Sequence, residues 1–164
     1  MFQTATIDHA NKAEFYRELA QQLEALLTGE SDIIANAANT SALMFQMMPE
    51  LNWAGFYLLK SESESELVLG PFQGKPACVR IPVGKGVCGT AVERKSSVLV
   101  EDVHAFPGHI ACDAASRSEL VVPLIHEGRV IGVIDLDSPV PSRFDAEDQA
   151  GIEKLAAIFI AASF

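Results

Sequence analysis

The sequence predicts an α+β fold: an antiparallel sheet with helices on one face and a loop-enclosed pocket on the other. Three observations predict it. Segments with helical spacing of apolar residues stand at both ends of the chain. Runs of strand character fill the middle and are joined by short turns. Between two of those runs lies Gly108 to Ser118, a small and polar stretch that reads as a surface loop holding a cysteine beside an acid.

The 164 residues suit one domain, residues 1–164, with residues 1–10 as a flexible N-terminus. At 49% hydrophobic the chain has enough apolar surface for a core. No run of about 18 consecutive apolar residues is present, so no membrane span is expected. The polar start of the chain does not resemble a secretory signal. A formal net charge of −10 argues against nucleic acid and anionic membranes as partners. Three cysteines without an export signal read as cytoplasmic thiols rather than a structural disulfide framework.

In chain order, Phe15, Leu19, Leu23, Leu26 and Leu27 make one stripe on a helix over Asn11 to Leu27, which Gly29 ends. Ser31-Asp32 caps a second helix to about Met48, stopped by Pro49. Trp53 to Leu59 is a strand with Trp53, Gly55 and Tyr57 on one face and Ala54, Phe56 and Leu58 on the other. Ser61 to Glu66, alternating serine and glutamate, reads as a mobile acidic hairpin connection to a strand over Leu67 to Phe72. Cys78 to Val83 reads as a third strand, with Cys78 and Arg80 sharing a face. A glycine-rich turn, Gly84 to Gly89, leads into a helix over Thr90 to Lys95, and Ser97 to Val100 is a short strand. Glu101 to Ser118 is the long loop, with room for one helical turn. Leu120 to Ile125 and Arg129 to Asp135 are strands joined at Glu127-Gly128. Asp145 caps the last helix, whose core side carries Ile152, Leu155, Ile158 and Phe159.

Several residues carry chemistry. Gly84-x-Gly86-x-x-Gly89 formally matches a dinucleotide fingerprint, but no parallel crossover unit follows it. The reading that survives is a tight turn whose amides face a small anion such as a carboxylate. Cys88 sits at that helix start, where the positive helix end favours a thiolate. The three cysteines with His104 and His109 could form a zinc set, but the Cys-to-Cys gaps of nine and twenty-three residues are far from the short spacing of structural sites. Asp135 and Asp137 are two apart on a strand and so face one space, with Glu119 at the start of the neighbouring strand. Such a cluster attracts an ammonium group, and mutual repulsion raises at least one pKa. The plain alternative is a solvated strand end. Trp53 and Tyr57 serve equally as core or as the wall of a thioether-sized pocket.

Asn52-Trp53-Ala54-Gly55-Phe56-Tyr57, Gly70 to Lys75, Arg80 to Gly89 and Gly108-His109-Ile110-Ala111-Cys112-Asp113 together resemble the free methionine-(R)-sulfoxide reductases, which are GAF-domain enzymes. The resemblance runs from about Asn11 to Phe159. The Ser61 to Glu66 stretch is longer than that family's usual turn and lies outside its motifs. The resemblance implies thiol-dependent reduction of free L-methionine-(R)-sulfoxide, without metal or organic cofactor, and recycling by thioredoxin. It implies Cys112 as nucleophile, Cys78 as its resolving partner and Cys88 as an auxiliary thiol. Glu119, Asp135 and Asp137 would hold the substrate's ammonium and oxygen ends, and Trp53 and Tyr57 would wall the pocket. Attack on sulfur needs a thiolate while the sulfoxide oxygen is protonated. Nearby acids oppose the thiolate unless one of them is itself protonated, and Glu119, nearest Cys112 in the chain, is the expected donor. A sulfenic acid left on Cys112 would condense with Cys78 if their Cα atoms lie within about 7 Å. Two other classes predict different outcomes: a non-catalytic GAF-type sensor needs none of its cysteines, and a zinc-binding regulator carries stoichiometric metal. The apolar terminal helix is compatible with a homodimer.

Overall fold

The computed structural model describes residues 1–60 and 63–164. Ser61 and Glu62, part of the stretch expected to be a mobile connection, lie outside the described residues. The first helix, α1, covers Lys12–Leu27, with the Asn11 side chain accepting a hydrogen bond from the Glu14 amide at 3.0 Å. The second, α2, covers Ile33–Met47, with Asp32 accepting from the amides of Ile34 and Ala35. Both caps satisfy amides that the first helical turn leaves without carbonyl partners.

Six strands follow: β1 Trp53–Lys60, β2 Ser63–Gly74, β3 Arg80–Pro82, β4 Val98–Val100, β5 Ser118–His126 and β6 Arg129–Ser138. They form one antiparallel sheet in the order β3-β2-β1-β6-β5-β4. β5 and β6 are joined at Glu127-Gly128, both at positive φ (48° and 77°), the conformation a two-residue hairpin turn requires. Two further helices complete the fold: α3, Gly86–Arg94, and α4, Ala146–Ser163. α4 opens with a capping box between Asp145 and Asp148. Asp148 also receives the Tyr16 hydroxyl at 2.8 Å and pairs with Lys12 and Arg143, which ties α1 to the start of α4.

Each face of the sheet has its own core. On one face Ala54, Phe56, Leu120, Val122, Leu124, Ile134 and Leu136 pack against α1, α2 and α4. On the other, Trp53, Tyr57, Val121 and Val133 meet α3 and the loops. The expected layering holds for three helices, while α3 joins the loop side. It also begins four residues earlier than expected, at Gly86. Of the glycines that looked like a turn, Gly86 and Gly89 lie inside the helix and Gly84 before it; Gly89 is glycine there because a side chain would strike the Pro82 carbonyl oxygen. Residues 1–9 form no helix or strand, yet Ile7 is buried in the helical core and Ala5 exchanges two hydrogen bonds with Gln22.

Cys78 is not on a strand. Only Arg80–Pro82 pairs as β3, and residues 75–79 form a loop. The apolar and β-branched character of Cys78 to Val83 suggested a longer strand, but Pro76 removes a ladder donor. The Cys78 amide points to Cys112 Sγ, 3.3 Å away, instead of to a neighbouring strand.

Candidate active site

Strand alternation builds the floor of the site. β6 is paired on both sides, so its residues at period two are held in line. Asp137 stands opposite Trp53 of β1 and opposite Glu119 of β5, while Asp135 stands opposite Gly55 and Val121. The three carboxylates therefore share one patch of the loop-side face with Trp53 and Tyr57. α3 closes that patch from above with Cys88, and the long loop brings His109, Cys112 and Ser116 over it. These residues line a narrow cleft with a cavity volume of about 30 Å³, part of it open to solvent.

The acids are buried rather than solvated: Glu119 is 5% exposed and Asp135 6%. Burial is the first cause that pushes the pKa of all three well above the ordinary carboxylate range, and each is raised further by the charge of a neighbouring acid. Glu119 and Asp135 bring carboxyl oxygens within 4.8 Å of each other, and burial with mutual repulsion favours their protonated forms. Ser116 donates to Asp137. Asp135 Oδ1 is buried and has no hydrogen-bond partner among the described residues. A buried oxygen acceptor left over in a cleft is a place for a donor from a ligand.

Cys88 lies in the first turn of α3, as expected, but its thiol is not activated. Burial, then the charges of Asp135 and Glu119, push its pKa well up. The half-charge of a nine-residue helix does not offset full desolvation beside two acids. Cys88, Glu119 and Asp135 bring three ligand-type atoms within 4.8 Å of one another. The zinc set weighed from sequence does not assemble, because Cys78 and Cys112 are joined to each other.

Cys112 is exposed on the loop at the mouth of the cleft, and a disulfide links it to Cys78 with the Cα atoms 5.8 Å apart. Two side chains from the sheet hold the Cys78 loop: Tyr57 donates its hydroxyl to the Cys78 carbonyl at 2.9 Å, and Trp53 Nε1 donates to the Lys75 carbonyl at 3.1 Å. Burial raises the Tyr57 phenol, which keeps it a donor. The Trp53 ring is stacked between Tyr57 and Phe72, at centroid distances of 5.8 and 5.2 Å. The Cys112 loop is held by Asn52, which donates to Asp113 at 3.3 Å and Ser116 at 3.1 Å. Asp113, its pKa lowered chiefly by the Ala115 amide, also pairs with Lys75 across the two loops at 3.5 Å.

The structure thus brings together Cys112, Cys78, Cys88, Glu119, Trp53, Tyr57, Asp135 and Asp137, all eight residues singled out from sequence. It adds Asn52 and Ser116, which no spacing rule could mark because they act from irregular backbone. It also places His109 against Glu119, Nε2 to Oε2 at 3.1 Å, where sequence reading had weighed it only as a metal ligand.

A curled antiparallel sheet enclosing a cleft beneath loops is the architecture of small-ligand GAF domains. The GAF domain family model matches residues 9–162, and the chain belongs to that family. Its relatives narrow the group. It is 56% identical to the free methionine-R-sulfoxide reductase of Escherichia coli over 90% of this chain and 87% of that one. It is 44% identical to the enzyme of the same name from Saccharomyces cerevisiae over 89% and 84%. Among solved structures, the free methionine-R-sulfoxide reductase of Neisseria meningitidis, in complex with its substrate, is 45% identical, covers 99% of this chain and 95% of its own, and superposes with a TM-score of 0.94.

Proposed function

We propose that this chain reduces free L-methionine-(R)-sulfoxide to L-methionine, using Cys112 as nucleophile and Cys78 as resolving thiol. The observation that carries the reading is the Cys78–Cys112 disulfide at the mouth of a cleft floored by three clustered acids. An exposed thiol reaches the substrate's sulfur, and a buried protonated carboxyl beside it supplies what the sulfoxide oxygen needs. Glu119 is the proton donor. Asp135 and Asp137 receive the ammonium, whose N–H groups complete the unpartnered Asp135 Oδ1. The carboxylate lies against the first-turn amides of α3 at Gly86 to Cys88, which no intrahelical carbonyl can satisfy. The thioether and methyl lie on Trp53. Cys88 closes the site from α3 as an auxiliary thiol, and its raised pKa keeps it a weak nucleophile.

In the reaction, Cys112 Sγ attacks the sulfoxide sulfur, and the oxygen then passes to Sγ as its bond to the methionine sulfur breaks. Two electrons pass from Cys112 to the methionine sulfur, and Glu119 protonates the oxygen. The sulfenic acid then condenses with Cys78, releasing water and forming the disulfide. Thioredoxin returns the two electrons. A cytoplasmic setting, with its reducing dithiols, belongs to the same reading. No nucleic acid or membrane partner is expected of so acidic a chain, and among the described residues no helix is long and apolar enough to cross a membrane. A homodimer through α4 fits too, since Ile158 and Ile160 are only half-buried.

The test is a thioredoxin-coupled assay with the two separated sulfur epimers of free methionine sulfoxide and with a peptide carrying the same group. Turnover of the free (R) epimer alone is expected. Binding of the amino acid without turnover would leave a sensor, and equal turnover of the peptide would remove the ammonium and carboxylate from the recognition.

A further inference from the structure

A proton donor that is 5% exposed has to be reloaded after each use. Glu119 loses its proton to the sulfoxide oxygen, and that proton leaves with the oxygen as water. The Cys112 thiol gives up its own proton at the cleft mouth when it ionises, so a proton must travel inward once per turnover. Asp135 on β6 is 6% exposed and Cys88, which closes the site from α3, is 3% exposed, so these two share protons within the cluster but do not bring them from solvent; Asp137, partly exposed, stands opposite Glu119 on the neighbouring strand.

His109 stands between the cluster and water. Its Nε2 is 3.1 Å from Glu119 Oε2, and its side chain is 14% exposed against 7% for Glu119. Pro107 and Gly108, just before it in the chain, are exposed. Burial lowers the His109 pKa, so the ring is neutral near pH 7 and offers one donor and one acceptor nitrogen. Such a ring takes a proton on one nitrogen and releases one from the other, with no net charge left in the cleft.

We infer that His109 is a positioning residue that relays protons from solvent to Glu119, on which its Nε2 rests. The inference depends on the reading of Glu119 as the acid of sulfoxide reduction. In each cycle a solvent proton reaches Nδ1, the Nε2 proton passes to Glu119, and the imidazole returns to its starting tautomer by ring reorientation or by the reverse exchange with water. No electron moves in this step.

The experiment compares the first turnover with later ones in His109→Ala and His109→Gln, at saturating reductant, with free methionine-(R)-sulfoxide. Fully reduced enzyme starts with Glu119 loaded, so the first methionine should form within about threefold of the wild-type rate, whereas steady-state kcat should fall about tenfold or more. Added imidazole should restore part of the loss in His109→Ala, and none of the loss in Glu119→Gln. His109→Gln keeps a hydrogen-bonding group but cannot relay, so it should behave like His109→Ala. Wild-type steady-state rates in both variants overturn the inference. So does rescue by glutamine without imidazole, which would make His109 a prop only, and so does a first turnover slowed as much as later ones. A wild-type protein inactive on the sulfoxide in the same assay would instead overturn the functional reading itself.

Discussion

The two faces of β6 are built from opposite chemistry. Ile134 and Leu136 point to the helices and Asp135 and Asp137 to the cleft, and three of these four side chains are 6% exposed or less. On the helical face Ile134 and Leu136 are fully buried and apolar, and such burial adds to stability at roughly 25 cal/mol per Å². On the cleft face, burial opposes the charge it encloses and forces protons onto the acids. One strand thus presents a stabilising surface and a strained, functional one, separated only by the alternation of its side chains. The lesson is that the helical face can carry the cost of the other.

The largest expected effect is on the loop over the cleft. Cys112→Ser should reduce turnover to background, because a hydroxyl is a poor nucleophile towards sulfur at neutral pH, while thermal stability under reducing conditions stays near wild type since the residue is exposed. Cys78→Ser should still release about one methionine per chain and then stall with thioredoxin. Quantifying methionine per chain separates the two. Multiple turnover by Cys112→Ser would move the nucleophile elsewhere.

Within the floor, Glu119→Gln should lower kcat by about 10²–10⁴-fold, the usual worth of a general acid. Asp137→Asn should act mainly on KM, as expected for a group that binds the ammonium in ground and transition state alike. Steady-state kinetics of the two amides decide this, and an exchange of the two patterns would exchange the roles.

The faces can next be compared by stability. Leu136→Ala should cost about 2–5 kcal/mol at any pH, because it opens a cavity in a fully buried layer. Asp135→Asn should cost less, and its cost should shrink as pH rises. The sign follows from linkage. The folded pKa of Asp135 is raised above the ordinary 3.8, so the native state binds more protons than the unfolded one above that pH. That stability is fully present below the ordinary pKa and is lost as pH climbs through the raised one. Wild type should therefore lose stability as pH rises above about 4 more steeply than Asp135→Asn. His109, with its pKa lowered, acts in the opposite direction but equally in both proteins, so the difference cancels it. Parallel melting-temperature curves would show that Asp135 does not hold the excess proton.

How much of this was legible in the sequence follows from the same alternation. Asp135, Asp137, Trp53 and Tyr57 could be placed because a strand face is a matter of period two, and Cys112 because small polar neighbours mark an exposed loop. Glu119 was legible as the start of a strand beside them. Cys78 was misplaced onto a strand because its local character does not reveal that its amide turns to Cys112. The chemistry of Cys88 was misjudged because a helix start is visible in sequence but the burial of a side chain beneath it is not. The contact of His109 with Glu119 joins an irregular loop to a strand, and nothing local records it.

The smallest effect tests whether the aromatic floor also steers the redox loop. Tyr57→Phe keeps the ring stacked on Trp53 and deletes only the hydroxyl that the Cys78 carbonyl accepts. A hydrogen bond of this kind has a net worth of about 0.5–1.5 kcal/mol, equivalent to about two- to twelvefold in an equilibrium. Cys112 is held by other partners, through Asn52 and Asp113, so its attack on the substrate should be unchanged. Cys78 should spend less time near Cys112, and disulfide formation should slow by up to about that factor. Rapid-quench measurement of methionine release and of thiol loss in the same samples separates the two steps. If both slow together, Tyr57 acts on the substrate rather than on the Cys78 loop, and the hydroxyl belongs to the binding floor alone.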